Sequence, residues 1–196
     1  MGVKSVEKNY VILEQMTNDL YHLQYPIGKF IMPDETSFEL IKSWVDELND
    51  FPSKLISLTS SLTSDQLEKT YRPGGWTARQ VIHHVADSHL NAYTRFKLTL
   101  TEDKPTIRPY FEDRWAELSD GKTGKIELSL PLIAAIHARL VSLLKTLEYS
   151  DFSREYIHPE TQQTYTLAYL AGTYAWHGNH HLAHLQLALS QTKSAL

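Results

Sequence analysis

The stretch Thr77-Ala78-Arg79-Gln80-Val81-Ile82-His83-His84-Val85-Ala86-Asp87-Ser88-His89 decides how the chain reads. Thr77 and Gln80 form a capping box, in which a hydroxyl and a side-chain carbonyl each satisfy an orphan backbone N–H of a new helix. Pro73-Gly74-Gly75-Trp76 punctuates the chain just before it. The helix is predicted to run through Tyr93 and Phe96 to about Leu100, with Val81, Val85 and Ala92 along its apolar stripe.

Three more helices follow from the same period in both directions. Upstream, Thr36-Ser37-Phe38-Glu39 reads as a capping box with Thr36 as its cap, ahead of Leu40, Ile41, Trp44, Val45, Leu48, Phe51 and Leu55. Pro52 sits inside that run and is expected to kink or split the helix. Downstream, Ser129 and Pro131 open a helix carrying Ile133, Ile136, Leu140 and Leu144, and a last helix spans roughly Leu167 to Gln191. Between the second and third helices lies a connection of about 25 residues, Thr101 to Lys125, whose Ile107, Tyr110, Phe111 and Trp115 predict a packed loop. A small hairpin is expected around Tyr156 to Pro159 and Thr164 to Thr166. The fold class is therefore all-α, a four-helix bundle. Residues 1–22 read as an N-terminal extension with helical character and residues 23–196 as the bundle.

Composition removes several function classes. The 196 residues carry a net charge of -4 and no basic run, so nucleic acid is not an expected partner. Cysteine is absent, which excludes disulfides, thiolate metal sites and a cysteine nucleophile. No run of eighteen apolar residues and no signal-like start is present, so the expected location is the cytoplasm, away from the membrane.

Histidine is the unusual residue. Seven of ten fall into two clusters: His83, His84 and His89, then His177, His180, His181 and His184. Residues four apart share a helix face, so either His177 with His181 or His180 with His184 can grip one ion. The stripe Tyr174, His177, His181, Leu185 favours the first pair. His84 lies beside the apolar stripe of its own helix and can reach across to complete a three-histidine site with open positions. His83 falls on a more polar face with Arg79 and Asp87 and reads as supporting or exposed, whereas His22, His137 and His158 read as isolated structural residues. Asp87, one turn from His84, is the candidate to orient a ligand histidine by hydrogen bonding.

The run Gly74 to His89 resembles the DinB-like proteins, specifically the YfiT type, described as metal-dependent hydrolases and as bacillithiol S-transferases. Matching pieces continue in order: Tyr25-Pro26-Ile27-Gly28, Arg95-Phe96-Lys97-Leu98, Ile107-Arg108-Pro109-Tyr110, Tyr156-Ile157-His158-Pro159, and Trp176-His177 through His181-Leu182-Ala183-His184. The resemblance covers roughly residues 23 to 190. It implies a four-helix bundle with a crossover connection, usually dimeric, holding zinc or nickel through three histidines, here His84, His177 and His181. Gly178 and Asn179 depart from the denser histidine run of such proteins, at positions that are not ligands.

Three functions compete. In the first, the ion carries the thiolate of a small bacillithiol-like thiol to an electrophile. In the second it activates water for hydrolysis. In the third the protein is a stress-associated binding bundle without catalysis. No Glu stands between His177 and His181 to accept a proton from water, which ranks thiol transfer first. Arg95, Arg108 and Tyr110 are the candidates to hold an anionic cosubstrate.

Overall fold

The computed structural model describes residues 19–190. Its four long helices are α1 (Phe38–Thr59), α2 (Ala78–Thr101), α3 (Ser129–Leu144) and α4 (Leu167–Ser190). The cap of α2 forms as expected: Thr77 Oγ1 accepts from Gln80 N–H at 3.2 Å, and Gln80 Oε1 accepts from Thr77 N–H at 3.0 Å. At α1 the cap is Ser37 and not Thr36. Ser37 holds extended backbone and its Oγ accepts from Leu40 N–H at 3.1 Å, which puts Leu40 where a reciprocal Glu would have to be. Pro52 does not split α1, which is one helix across it. The predicted hairpin is present as β1 (Glu155–His158) paired antiparallel with β2 (Gln163–Thr166). The long connection folds into two short helices, Glu112–Ala116 and Ser119–Thr123, and a 3-10 turn, Ile126–Leu128. Of the expected N-terminal helix, residues 1–18 lie outside the described residues, while residues 19–24 are helical.

Both α1 and α2 pack against α3 and α4, so α1 lies diagonally across from α2, and α3 from α4. The order around the bundle is α1, α3, α2, α4. Two apolar clusters fix the helix directions. One gathers Leu48, Phe96, Leu140, Leu167 and Tyr174 near the hairpin, and the other gathers Phe51, Val81, Ile133 and Leu185 at the opposite end. Following each helix from cluster to cluster makes α1 and α4 parallel to each other, and α2 and α3 parallel in the other sense. Because α2 and α3 point the same way, the chain between them must return along the bundle. A 24-residue helix is about 36 Å long, which takes at least about ten extended residues to retrace. The connection from Glu102 to Leu128 supplies that crossover and carries its residues past the middle of the bundle.

The segment Ile126–Leu144 is long and apolar enough by composition to cross a membrane, with mean hydropathy 1.5. In the structure its residues Ser129–Leu144 are the bundle helix α3, with Ile133 and Leu140 fully buried and α1 and α2 on its flanks. Between the two apolar clusters every long helix except α1 contributes histidine: His84 and His89 from α2, His137 from α3, and His177, His180 and His181 from α4.

Candidate metal centre

α2 and α4 pack side by side, and this turns His84, His177 and His181 toward one another. One ring nitrogen from each lies within 4.8 Å of the other two. His84 Nε2 and His177 Nε2 are 3.3 Å apart. Two imidazole nitrogens each about 2.0–2.1 Å from a tetrahedral ion stand about 3.3–3.4 Å apart, so this pair fits such an ion between them. Burial disfavours the charged imidazolium, pushing His84 down to about 4 and His177 and His181 well below the ordinary histidine value. All three are therefore neutral at pH 7, the form that offers a lone pair to a metal. The rival pair does not join this group: His180 and His184 line the same cavity, where Trp176 stacks on His180 at 4.5 Å and Tyr71 on His184 at 3.9 Å.

Behind the three rings are further histidines. His177 Nδ1 is 3.1 Å from His89 Nε2, His89 Nδ1 is 2.8 Å from His137 Nε2, and His137 Nδ1 donates to the Leu48 carbonyl at 2.6 Å. His137 is thus no isolated core residue. Sequence reading missed it because its partner His89 is 48 positions away on another helix. Phe51 stacks flat on His89 at 5.3 Å, and a Cβ at Gly178 would stand 2.8 Å from that Phe51 ring. The glycine is where α1 comes close enough to press on the histidine layer. His181 Nδ1 is 3.3 Å from His184 Nδ1, and His184 Nε2 donates to the Gln24 carbonyl at 3.1 Å.

Other expected roles move. Asp87 makes no hydrogen bond through its carboxyl to any of the three histidines among the described residues. It is half-buried, and desolvation together with the nearby Asp120 raises it to about 6. His177 hydrogen-bonds to His89 instead. His83 is buried, not exposed: its Nε2 donates to Gly124 O at 3.2 Å and its Nδ1 accepts from Ser129 Oγ at 2.8 Å, tying α2 to the crossover and to α3. His22 is exposed.

The three histidines sit in the wall of a cavity of about 600 Å³, a size that suits a small-molecule ligand. Arg95 and Tyr110 line it, but Arg108 is exposed and does not. Arg95 Nη1 donates to Tyr174 Oη at 3.2 Å, while its buried Nε has no partner. His158, which sequence read as isolated, also lines the cavity, with an unpartnered buried Nδ1. Tyr110 hydrogen-bonds to Ser88, and burial raises its phenol above the ordinary tyrosine value, so the hydroxyl keeps its proton. Ser88 Oγ lies 3.5 Å from His177 Nε2.

Fold and site together define a four-helix bundle with a histidine-walled cavity across its middle. The chain belongs to the DinB superfamily, whose sequence profile matches residues 47–185. It is 50% identical over 163 residues to a protein of Bacillus pumilus named "Putative metal-dependent hydrolase", covering 83% of this chain and 93% of that one. A Bacillus cereus protein of the same name is 48% identical over the same length and shares. Among solved structures, YfiT from Bacillus subtilis superposes with a TM-score of 0.85 at 43% identity, covering 89% of this chain and 99% of that one. It is described as "a probable metal-dependent hydrolase with an unusual four-helix bundle topology".

Proposed function

We propose that the chain is a metal-dependent hydrolase in which His84, His177 and His181 hold one divalent ion, zinc or nickel. The observation that carries this reading is three neutral imidazoles converging on the wall of an open cavity, where a bound ion would be accessible to a ligand from the cavity. The names of the relatives favour hydrolysis over thiol transfer. Such an ion, when bound, lowers the pKa of a coordinated water to about 7 and polarises a carbonyl.

The chain's own residues supply the rest. Ser88 and Tyr110 present hydroxyls beside His177, suited to orienting a polar group of substrate there. Arg95 carries a guanidinium with no carboxylate partner among the described residues and an unused Nε–H, which suits an anionic group on the substrate. His180, held down to about 4 by burial and by His184, stays neutral and offers a polar ring on the same wall.

Thiol transfer stands as the second reading on one observation. No Glu stands between His177 and His181, and Glu112, Asp113 and Glu160, which line the cavity, make no hydrogen bond to the three histidines among the described residues, whereas a metal-bound thiolate would need no proton acceptor. We also propose a cytoplasmic homodimer, for which light scattering should give twice the 22.5 kDa chain mass.

The test strips the protein with a chelator, reloads it with zinc or nickel, and offers a panel of esters and amides. A parallel arm offers bacillithiol, cysteine or glutathione with a chromogenic electrophile. Hydrolysis that needs the metal and drops about a thousandfold in His84→Ala is expected, the loss of several kcal/mol of charge stabilisation. Conjugation without hydrolysis would transfer the reading to the thiol enzyme. No turnover in either arm would favour a ligand-binding bundle.

A further inference from the structure

We propose that two backbone carbonyls, those of Leu48 and Gln24, dictate the tautomers of His177 and His181 through chains of buried histidines, making His89, His137 and His184 positioning residues for the metal. The inference rests on the reading of those two residues as ligands.

The argument needs only the rule that a neutral imidazole has one N–H donor and one acceptor, and that a carbonyl accepts. His137 Nδ1 faces the Leu48 carbonyl at 2.6 Å, so Nδ1 carries the proton and Nε2 is a lone pair. That lone pair must accept from His89 Nδ1 at 2.8 Å, so His89 Nδ1 carries the proton and its Nε2 is a lone pair. His89 Nε2 in turn accepts from His177 Nδ1 at 3.1 Å. The proton of His177 is thereby fixed on Nδ1, and Nε2, the nitrogen facing His84, is left bare. The second chain is shorter. His184 Nε2 donates to the Gln24 carbonyl at 3.1 Å, so His184 Nδ1 accepts from His181 Nδ1 at 3.3 Å. Nε2 of His181 is left bare in the same way. Reversing any one ring sets two protons, or two lone pairs, against each other in a buried space.

Both carbonyls are free for this use because of where they stand in their helices. In an α-helix each carbonyl accepts from the N–H four residues on. Four residues after Leu48 stands Pro52, which has no N–H. The proline inside α1 thus leaves the Leu48 carbonyl without a helical partner, in the fully buried layer where His137 reaches it. Gln24 is the last residue of the helical segment 19–24, so its carbonyl is a helix-end orphan. His84 is held by other means, with the Trp76 ring 4.6 Å from its own.

Long-range proton–nitrogen correlation spectra of the metal-free protein at pH 8 read each tautomer directly. Among the five histidines of the two chains, the expected pattern is Nδ1–H for His89, His137, His177 and His181 and Nε2–H for His184. Nε2–H at His177 would overturn the proposal, whether or not the protein binds metal. Zinc affinity gives the second readout. His137→Leu removes the link to Leu48 and should weaken zinc binding about 10- to 100-fold, the usual effect of losing an outer hydrogen bond to a ligand. His137→Gln, which can donate to Leu48 through its amide and accept from His89 through its oxygen, should stay within roughly threefold of wild type. Should His137→Leu fail to fold, the spectrum of His137→Gln decides: Nδ1–H at His177 supports the relay, and Nε2–H overturns it. Equal zinc affinity in a folded His137→Leu would also overturn it. A wild-type protein that shows the expected tautomers but binds no zinc would instead refute the ligand reading.

Discussion

The two sides of the histidine layer are built differently. On the inner side, His89 and His137 are fully buried, each ring nitrogen is paired, and the chain of contacts ends on a carbonyl of α1. On the cavity side, Arg95 Nε, His158 Nδ1 and His180 Nδ1 are buried without partners, and the walls come from loops as well as helices. Buried polar groups are normally satisfied, and leaving one unpaired costs about 1–3 kcal/mol. A fold that satisfies one side and leaves the other open has an aligned interior and a surface prepared for something not made of this chain.

Acid should disrupt the histidine layer as a whole, the largest of the expected effects. His84 titrates at 6.5 when unfolded and about 4 when folded, so its stabilising contribution is complete above pH 6.5 and is lost as pH falls through about 4. That one group carries about 3 kcal/mol at about 1.36 kcal/mol per unit, and the lowered values of His89, His177 and His181 act with the same sign. Urea melts of metal-free protein should show stability falling steeply between about pH 6.5 and about pH 4. A flat profile there would mean that the rings are not buried neutral.

Crowding the inner side is the next perturbation. Gly178→Ala puts a methyl 2.8 Å from the Phe51 ring, which rests on His89. We expect about 1–3 kcal/mol of destabilisation, typical of overpacking, together with weaker zinc binding. Unchanged zinc affinity in a destabilised variant would show that Phe51 does not hold the relay in place.

Asp87 belongs to neither side and gives the smallest effect. Its carboxyl, raised to about 6 from 3.8, is stabilising only below pH 3.8 and loses that contribution as pH rises through about 6. Asp87→Asn should therefore stabilise the protein at pH 8 by less than about 1 kcal/mol, given its partial exposure, and lose that advantage at pH 4. Zinc affinity should not change. A tenfold loss would restore Asp87 to the role of orienting a ligand.

These contrasts mark what the sequence could disclose. The Thr77–Gln80 cap and the spacing of His177 and His181 are legible because they depend on neighbours within one turn. The choice between the pairs His177/His181 and His180/His184 is half legible, since spacing is equal and only the apolar stripe separates them. The relay is illegible, because Leu48, His137, His89 and His177 come from four helices whose diagonal arrangement is set by the crossover. Pro52 shows the limit most clearly. Read locally it predicts a kink or a split in α1, whereas in the fold it frees the carbonyl on which the inner histidine chain ends.

Metal content of protein purified without a histidine tag tests the central claim most directly. Mass spectrometry of the native protein should find about one divalent ion per chain, lost in His84→Ala, His177→Ala and His181→Ala and retained in His180→Ala. An ion lost from His180→Ala but kept in His177→Ala would contradict the account, because the metal would then sit on the other face of α4.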